Sequence, residues 1–229
     1  MKSCAARVSA LVCAAFVLAW VPRLCAAPLV LLDPGHGGSD TGVSVGNFHE
    51  SDYVLALAKR MVPLLESRGL DVRLTRDGDE DLSVSARVAL ANTLQPSALI
   101  SLHVNAAFQA DAHGPRLFVP ASSKPDLAEA PLWELAAGMH AEASRKLGLC
   151  LAKALGVGGP RPVQTLKLAL FRGLSVPACL VEIEFATNAD GLAELKNDAQ
   201  AQAWAGRLAA GIADYVLASV PAKVPHAKP

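Results

Sequence analysis

Two histidines and two glutamates carry the chemistry open to this chain of 229 residues. His36 follows the apolar run 29–32 and the turn signal Asp33-Pro34-Gly35, with Gly37 and Gly38 next. His103 closes a second apolar run, 98–102. A histidine at the C-terminal end of a strand, in a glycine-rich loop, stands where α/β folds place their chemistry. Glu50 opens an amphipathic segment beyond a polar loop, and Glu182 sits within Leu180-Val181-Glu182-Ile183. A glutamate buried in such a run needs a cation or a hydrogen-bond donor beside it. Two histidines and a carboxylate, with the fourth place open, form a catalytic zinc set. A further glutamate off the metal can serve as general base on water.

The spacings are long, unlike the HExxH pair that one helix fixes, so each residue has a second reading. Either histidine can be a structural core residue. Glu50 can be a first-turn carboxylate favoured by the helix dipole. Glu182 can be the buried ion-pair partner of Arg172. His49 rivals Glu50 as a loop ligand. Asp33 either caps its turn or orients His36 from behind. His113 and His140 are expected at the surface.

The elements that must position these residues alternate between strands and helices. Strands are expected at 28–32, 71–76, 98–102, 114–119 and 178–185, with a short strand or bridge at 166–171. Helices are expected at 53–67, 83–94, 132–155, 189–195 and 200–217. Ser51 or Asp52 should cap the first helix, and Pro63 should kink or split it. Alternation of this kind implies an α/β fold: a single domain, 28–218, with a twisted, mostly parallel central sheet of five or six strands and helices on both faces.

Hydrophobic residues make up 52% of the chain and the formal net charge is zero. Extensive disorder is thereby excluded, and nucleic-acid binding has no compositional support. Residues 1–27 read as a signal peptide. Lys2 and Arg7 precede an apolar stretch, 11–21, too short to span a bilayer comfortably, and small residues follow at 25–27. Cleavage would leave no membrane span, a net charge of about −3, and two cysteines, Cys150 and Cys179. In an exported protein these could pair, or remain buried thiols. The lysine- and proline-containing tail, 219–229, is expected to be disordered.

Four motifs, taken together, resemble the zinc-dependent N-acetylmuramoyl-L-alanine amidases of the Amidase_3 type. They are Asp33-Pro34-Gly35-His36-Gly37-Gly38, Glu50 before its helix, Ser101-Leu102-His103-Val104-Asn105-Ala106 and Pro177-Ala178-Cys179-Leu180-Val181-Glu182, with Arg87 to Asn92 similar to the family's R-x-x-x-A-N pattern. The likeness runs from residue 28 to about 216. It implies a peptidoglycan hydrolase that cuts the amide between N-acetylmuramic acid and L-alanine of the stem peptide, in the periplasm or at the cell wall. By the same resemblance His36, Glu50 and His103 would bind Zn2+, and Glu182 would be the catalytic glutamate. Asp33, Asn105, Arg172 and Glu184 would support substrate or ligands.

The chain also departs from the family. Glycine usually stands two residues after the catalytic glutamate. Here it is Glu184, which on a regular strand would share a face with Glu182 and raise its pKa by like-charge repulsion. The usual lysine after the ligand glutamate is Ser51. Some members carry a long inhibitory helix; the corresponding 121–143 is short, which implies little or no autoinhibition. With no wall-binding repeats, targeting falls to the groove itself or to a partner such as an envelope activator protein, and a monomer is expected. The alternatives are a zinc peptidase of related fold, or a wall-binding protein whose site Glu184 has impaired.

Overall fold

The computed structural model describes residues 26–121 and 138–219. In chain order these form β1 (Leu29–Pro34), β2 (Ser44–Val45), β3 (Phe48–His49), α1 (Glu50–Glu66), β4 (Asp71–Leu74), α2 (Val84–Leu94), β5 (Ala98–Asn105), β6 (Arg116–Pro120) and α3 (Ala141–Leu155). After these come β7 (Gln164–Leu166), a 3-10 turn (Ala169–Phe171), β8 (Ala178–Phe185), α4 (Ala189–Leu195) and α5 (Asp198–Ser219). Six strands make one sheet in the order β4-β1-β5-β8-β6-β7. β4, β1, β5 and β8 run parallel, β6 is antiparallel to β8, and β7 is parallel to β6.

Alternation along the strands divides the molecule into two layers. Val30, Leu32, Ile100, Leu102, Val181 and Ile183 face a large core with α1, α3 and α5. Leu31, Leu99 and Leu180 face a smaller one, closed by α2 and the 3-10 turn through Ala91, Leu170 and Phe171. That second face, followed toward the C-terminal strand ends, is where Asp33, Ser101, His103 and Glu182 fall. His103 and Glu182 are paired across β5 and β8.

The α/β architecture with its mostly parallel sheet is as the sequence indicates, and local details differ. α1 begins at Glu50 with His49 as N-cap and no side-chain cap. Its leading amides bond instead to loop carbonyls, Glu50 N to Val43 O (2.9 Å) and Ser51 N to Thr41 O (3.2 Å), so neither Ser51 nor Asp52 is needed as a cap. Pro63 does not split the helix. It lies exposed near the C-terminal end, where water can satisfy the carbonyl that its missing N–H leaves open. Ser83 caps α2, accepting from Ala86 N. The β2–β3 hairpin carries no extended apolar pattern and is not foreseen from the sequence. Cys150 and Cys179 are free thiols. The expected leader lies outside the described residues but for 26 and 27, the expected tail lies outside but for Ser219, and so does 122–137, on which the autoinhibition expectation mostly rests.

Two buried arginines fix the loop after β1. Arg87 donates to Asp33 Oδ1 (2.6 Å), Pro34 O (2.8 Å) and His36 O (2.6 Å). Arg76 donates to Pro34 O (3.0 Å), Gly35 O (2.8 Å) and Ser51 O (2.9 Å). Asp33, 1% exposed, also accepts from Thr75 Oγ1 and Ser101 Oγ. Removing one partner of a buried, hydrogen-bonded pair strands the other charge. Arg87→Leu is therefore expected to lower the unfolding free energy by about 3–5 kcal/mol, as read from urea denaturation; a loss below about 1 kcal/mol would rule out this role for the pair.

Candidate metal centre and its surroundings

Ring and carboxylate atoms of His36, Glu50 and His103 lie within 4.8 Å of one another, although the residues are 14 and 53 positions apart. Each arrives from a different element. His36 leaves β1 on the arginine-held loop with φ 56, a left-handed conformation uncommon for a residue with a side chain. Glu50 is the first residue of α1, and His103 lies near the end of β5. Gly35 lets the loop cross the imidazole of His103: a Cβ there would come within 2.3 Å of the ring. Gly42 does the same for Glu50 and His36, with contacts of 2.5 and 2.7 Å.

Glu50 organises the donors. Its Oε1 accepts from His103 Nδ1 (2.9 Å) and Val104 N (2.9 Å), and stands 3.1 Å from His36 Nε2. Its Oε2 accepts from Val43 N (2.9 Å). Burial pushes this carboxyl up, but the hydrogen bonds from His103 and His36 outweigh it and hold Glu50 well below the usual carboxylate range. The hydrogen bond to Glu50 raises His36 to about 9, against burial and with help from Asp40. Asp40 Oδ2 accepts from His36 Nδ1 at 2.7 Å while its Oδ1 accepts from Gly42 N at 3.0 Å. The carboxylate behind His36 is thus Asp40, and Asp33 serves Arg87, Thr75 and Ser101 instead. The sequence does not single out Asp40 because it lies four positions along the loop from His36, and only the turn in that loop joins them.

Glu182 lines the same cavity of about 490 Å³, with Asn105 and Ala106. Its Oε2 is buried and has no hydrogen-bond partner. Burial, then the charge of Glu50, raises this carboxyl to about 7, with His103 and His36 opposing. Glu184 is not the cause. A register irregularity between the His103 pair and the Asn105 pair inserts one extra residue into β8, which breaks the alternation that would have put the two glutamates side by side. Glu184 instead accepts from Gly114 N and Phe185 N. His49 bonds Ser44 Oγ (3.0 Å) and stands outside the cluster. His113 is exposed and His140 half-buried. Arg172 is exposed just after the 3-10 turn.

The three donors suit a divalent cation such as zinc: two imidazole nitrogens and a carboxylate oxygen converge, leaving a face open to the cavity. Glu182 lines that same space, with its Oε2 buried behind the cavity wall. A cation must displace the proton that His36 holds below pH about 9. Zinc affinity, measured against a chromophoric chelator, is expected to rise with pH up to that value, about tenfold per unit while one proton is displaced. A flat profile between pH 6 and 8 would contradict a protonated His36. Gly35→Ala should weaken zinc by about tenfold or more, since His103 has to move.

Residues 30–214 match the family Amidase_3, described as N-acetylmuramoyl-L-alanine amidase. The chain is 28% identical over 218 residues to the N-acetylmuramoyl-L-alanine amidase AmiA of Salmonella typhimurium, covering 82% of this chain and 75% of that protein. It is 30% identical over 189 residues to the endolysin of Bacillus phage SPP1, covering 82% of this chain and 66% of the endolysin. Among solved structures, the amidase AmiC2 of Nostoc punctiforme superposes with a TM-score of 0.68 at 25% identity, over 83% of this chain and 97% of that one.

Proposed function

The chain belongs to the Amidase_3 family of N-acetylmuramoyl-L-alanine amidases, and from that premise we propose that it hydrolyses the amide joining N-acetylmuramic acid to L-alanine of the peptidoglycan stem peptide, with His36, Glu50 and His103 holding zinc. The observation that carries the reading is the convergence of those three donors beside a glutamate whose inner oxygen is buried and unpartnered. Bound there, zinc supplies Lewis acidity toward the scissile carbonyl and toward water.

The protein's own groups do the rest. Glu182, ionised, takes the proton of the attacking water and delivers it to the leaving amine nitrogen. Its raised pKa suits both halves of that transfer, because a base near neutrality is also a competent acid. Glu50 keeps its charge because two imidazoles face it, and Asp40 holds His36 with Nε2 turned inward. Asn105 lines the cavity beside them. Asp33 supports the site from beneath, through Arg87 and the loop carbonyls. Peptidoglycan lies outside the cytoplasm, which agrees with reading 1–27 as a signal peptide and 28–218 as the catalytic domain at work in the periplasm or cell wall. Among the described residues no helix is long and apolar enough to cross a membrane.

Zinc-loaded protein incubated with purified peptidoglycan is expected to release stem peptides and leave a free lactyl carboxylate on muramic acid. Intact peptidoglycan despite normal zinc content would refute the proposal. Glu182→Gln should reduce turnover by about 10² or more while zinc binding stays near wild type. The base must be ionised, so kcat/KM is expected to fall as pH drops through the Glu182 pKa. That pKa is about 7 without metal, and a bound cation draws it lower, which puts the acid limb below 7 and removes it in Glu182→Gln.

A further inference from the structure

The register of the sheet sets three side chains in a row at the C-terminal ends of its parallel strands. His103 on β5 pairs with Glu182 on β8, and Glu182 pairs in turn with Arg116 at the start of β6. Residues directly opposite one another share a face of the sheet, with Cβ atoms about 5 Å apart. The same pairing holds two residues further along β6, where Phe118 lies opposite Leu180 and both pack in the smaller core. Arg116 therefore stands on the face that carries the metal donors, one strand beyond the glutamate and about 10 Å from His103 by the strand spacing.

The guanidinium does not fall onto Glu182. It lies over the Phe185 ring, 5.3 Å from the centroid, and Nη1 donates to Gly114 O (3.2 Å) and Pro115 O (3.1 Å). Glu184, two residues beyond Glu182, is occupied by Gly114 N and Phe185 N. Among the described residues Arg116 has no ion-pair partner, and its hydrogen bonds use Nη1 alone. What remains, Nε and Nη2, is an edge of the guanidinium whose two parallel N–H groups match a carboxylate. A half-buried cation without a counter-charge, beside a hydrolytic site, points to a negative group on what binds there. On the amidase reading above, that ligand is the stem peptide, whose residue after L-alanine carries a free carboxylate. Along an extended chain this group lies on the order of 7 Å from the scissile nitrogen, a span of one to two strand spacings. Passing Glu182 it would meet like charge, which Arg116 offsets.

We propose that Arg116 is a specificity-determining residue of this site, its Nε–Nη2 edge receiving the free carboxylate of the stem-peptide residue that follows L-alanine. This rests on the amidase reading. The probes are two soluble N-acetylmuramoyl tripeptides, one with that carboxylate free and one with it converted to the amide. The zinc-loaded wild type is expected to favour the acid about tenfold in kcat/KM, because the amide loses a charge-assisted pair. Arg116→Gln should lower kcat/KM about tenfold on the acid and leave the amide within about twofold, which removes the preference. Arg116→Lys, a point charge without the fork, should keep part of it. Zinc affinity should be unchanged in both variants. Equal losses on the two substrates would mark Arg116 as a support for Gly114 and Pro115 only and would overturn the proposal, as would a wild type without preference for the acid. Titration calorimetry with the free tripeptides, acid and amide, needs no turnover and separates this inference from the amidase reading. The wild type should bind the acid more tightly, and Arg116→Gln should bind both alike. Cleavage of neither substrate would count against the amidase reading, whereas equal binding of acid and amide by the wild type would refute the role of Arg116 even where both are cleaved.

Discussion

The site depends on the guanidinium groups of Arg76 and Arg87, which are buried beneath the loop that carries His36. Between them they hold the carbonyls of Pro34, Gly35 and His36, and Arg87 is neutralised by Asp33. A loop so rich in glycine would otherwise sample many conformations. His36 sits at a φ of 56, and a strained backbone persists only where its surroundings over-determine it. Asp79 and Asp81 add hydrogen bonds to the amides of Gly38 and Ser39 from the opposite side. The imidazole therefore stands on a rigid support although it comes from a turn.

Electrostatics at the site follow from that rigidity. Two imidazoles and two backbone amides surround Glu50, which stabilises its charge despite burial, and the same contacts raise His36. Glu182, a few residues from the end of the adjacent strand, has no such donors among the described residues and rises instead. Two carboxylates in one cavity are thereby driven apart in pKa: one suited to hold a cation, the other to carry a proton. The difference comes from where each enters. Glu50 arrives at a helix start among loop amides, whereas Glu182 emerges from the middle of an apolar strand.

Much of the site was legible in the sequence because strand period and strand ends are local properties. The runs 29–32 and 98–102 each place a histidine, His36 and His103, at a strand end, and Glu182 is conspicuous among Leu, Val and Ile. Asp40 was not legible, since only the curl of the loop brings it behind His36. Nor was the relation of Glu184 to Glu182. A regular strand puts them on one face, and the bulge in β8 that separates them depends on pairing with β5.

By itself the sequence determined the alternating α/β pattern, the two layers of core and the residue types able to hold a metal, because burial and periodicity are written along the chain. It also held the family motifs over most of its length. Only the tertiary structure decided which groups meet: that one oxygen of Glu50 faces both imidazoles, that Asp33 serves two hydroxyls and an arginine instead of His36, and that Glu184 tethers Gly114. Those contacts join residues 53, 54 and 70 positions apart, and hydrogen bonds across such separations are set by strand register and loop path, which no local pattern encodes.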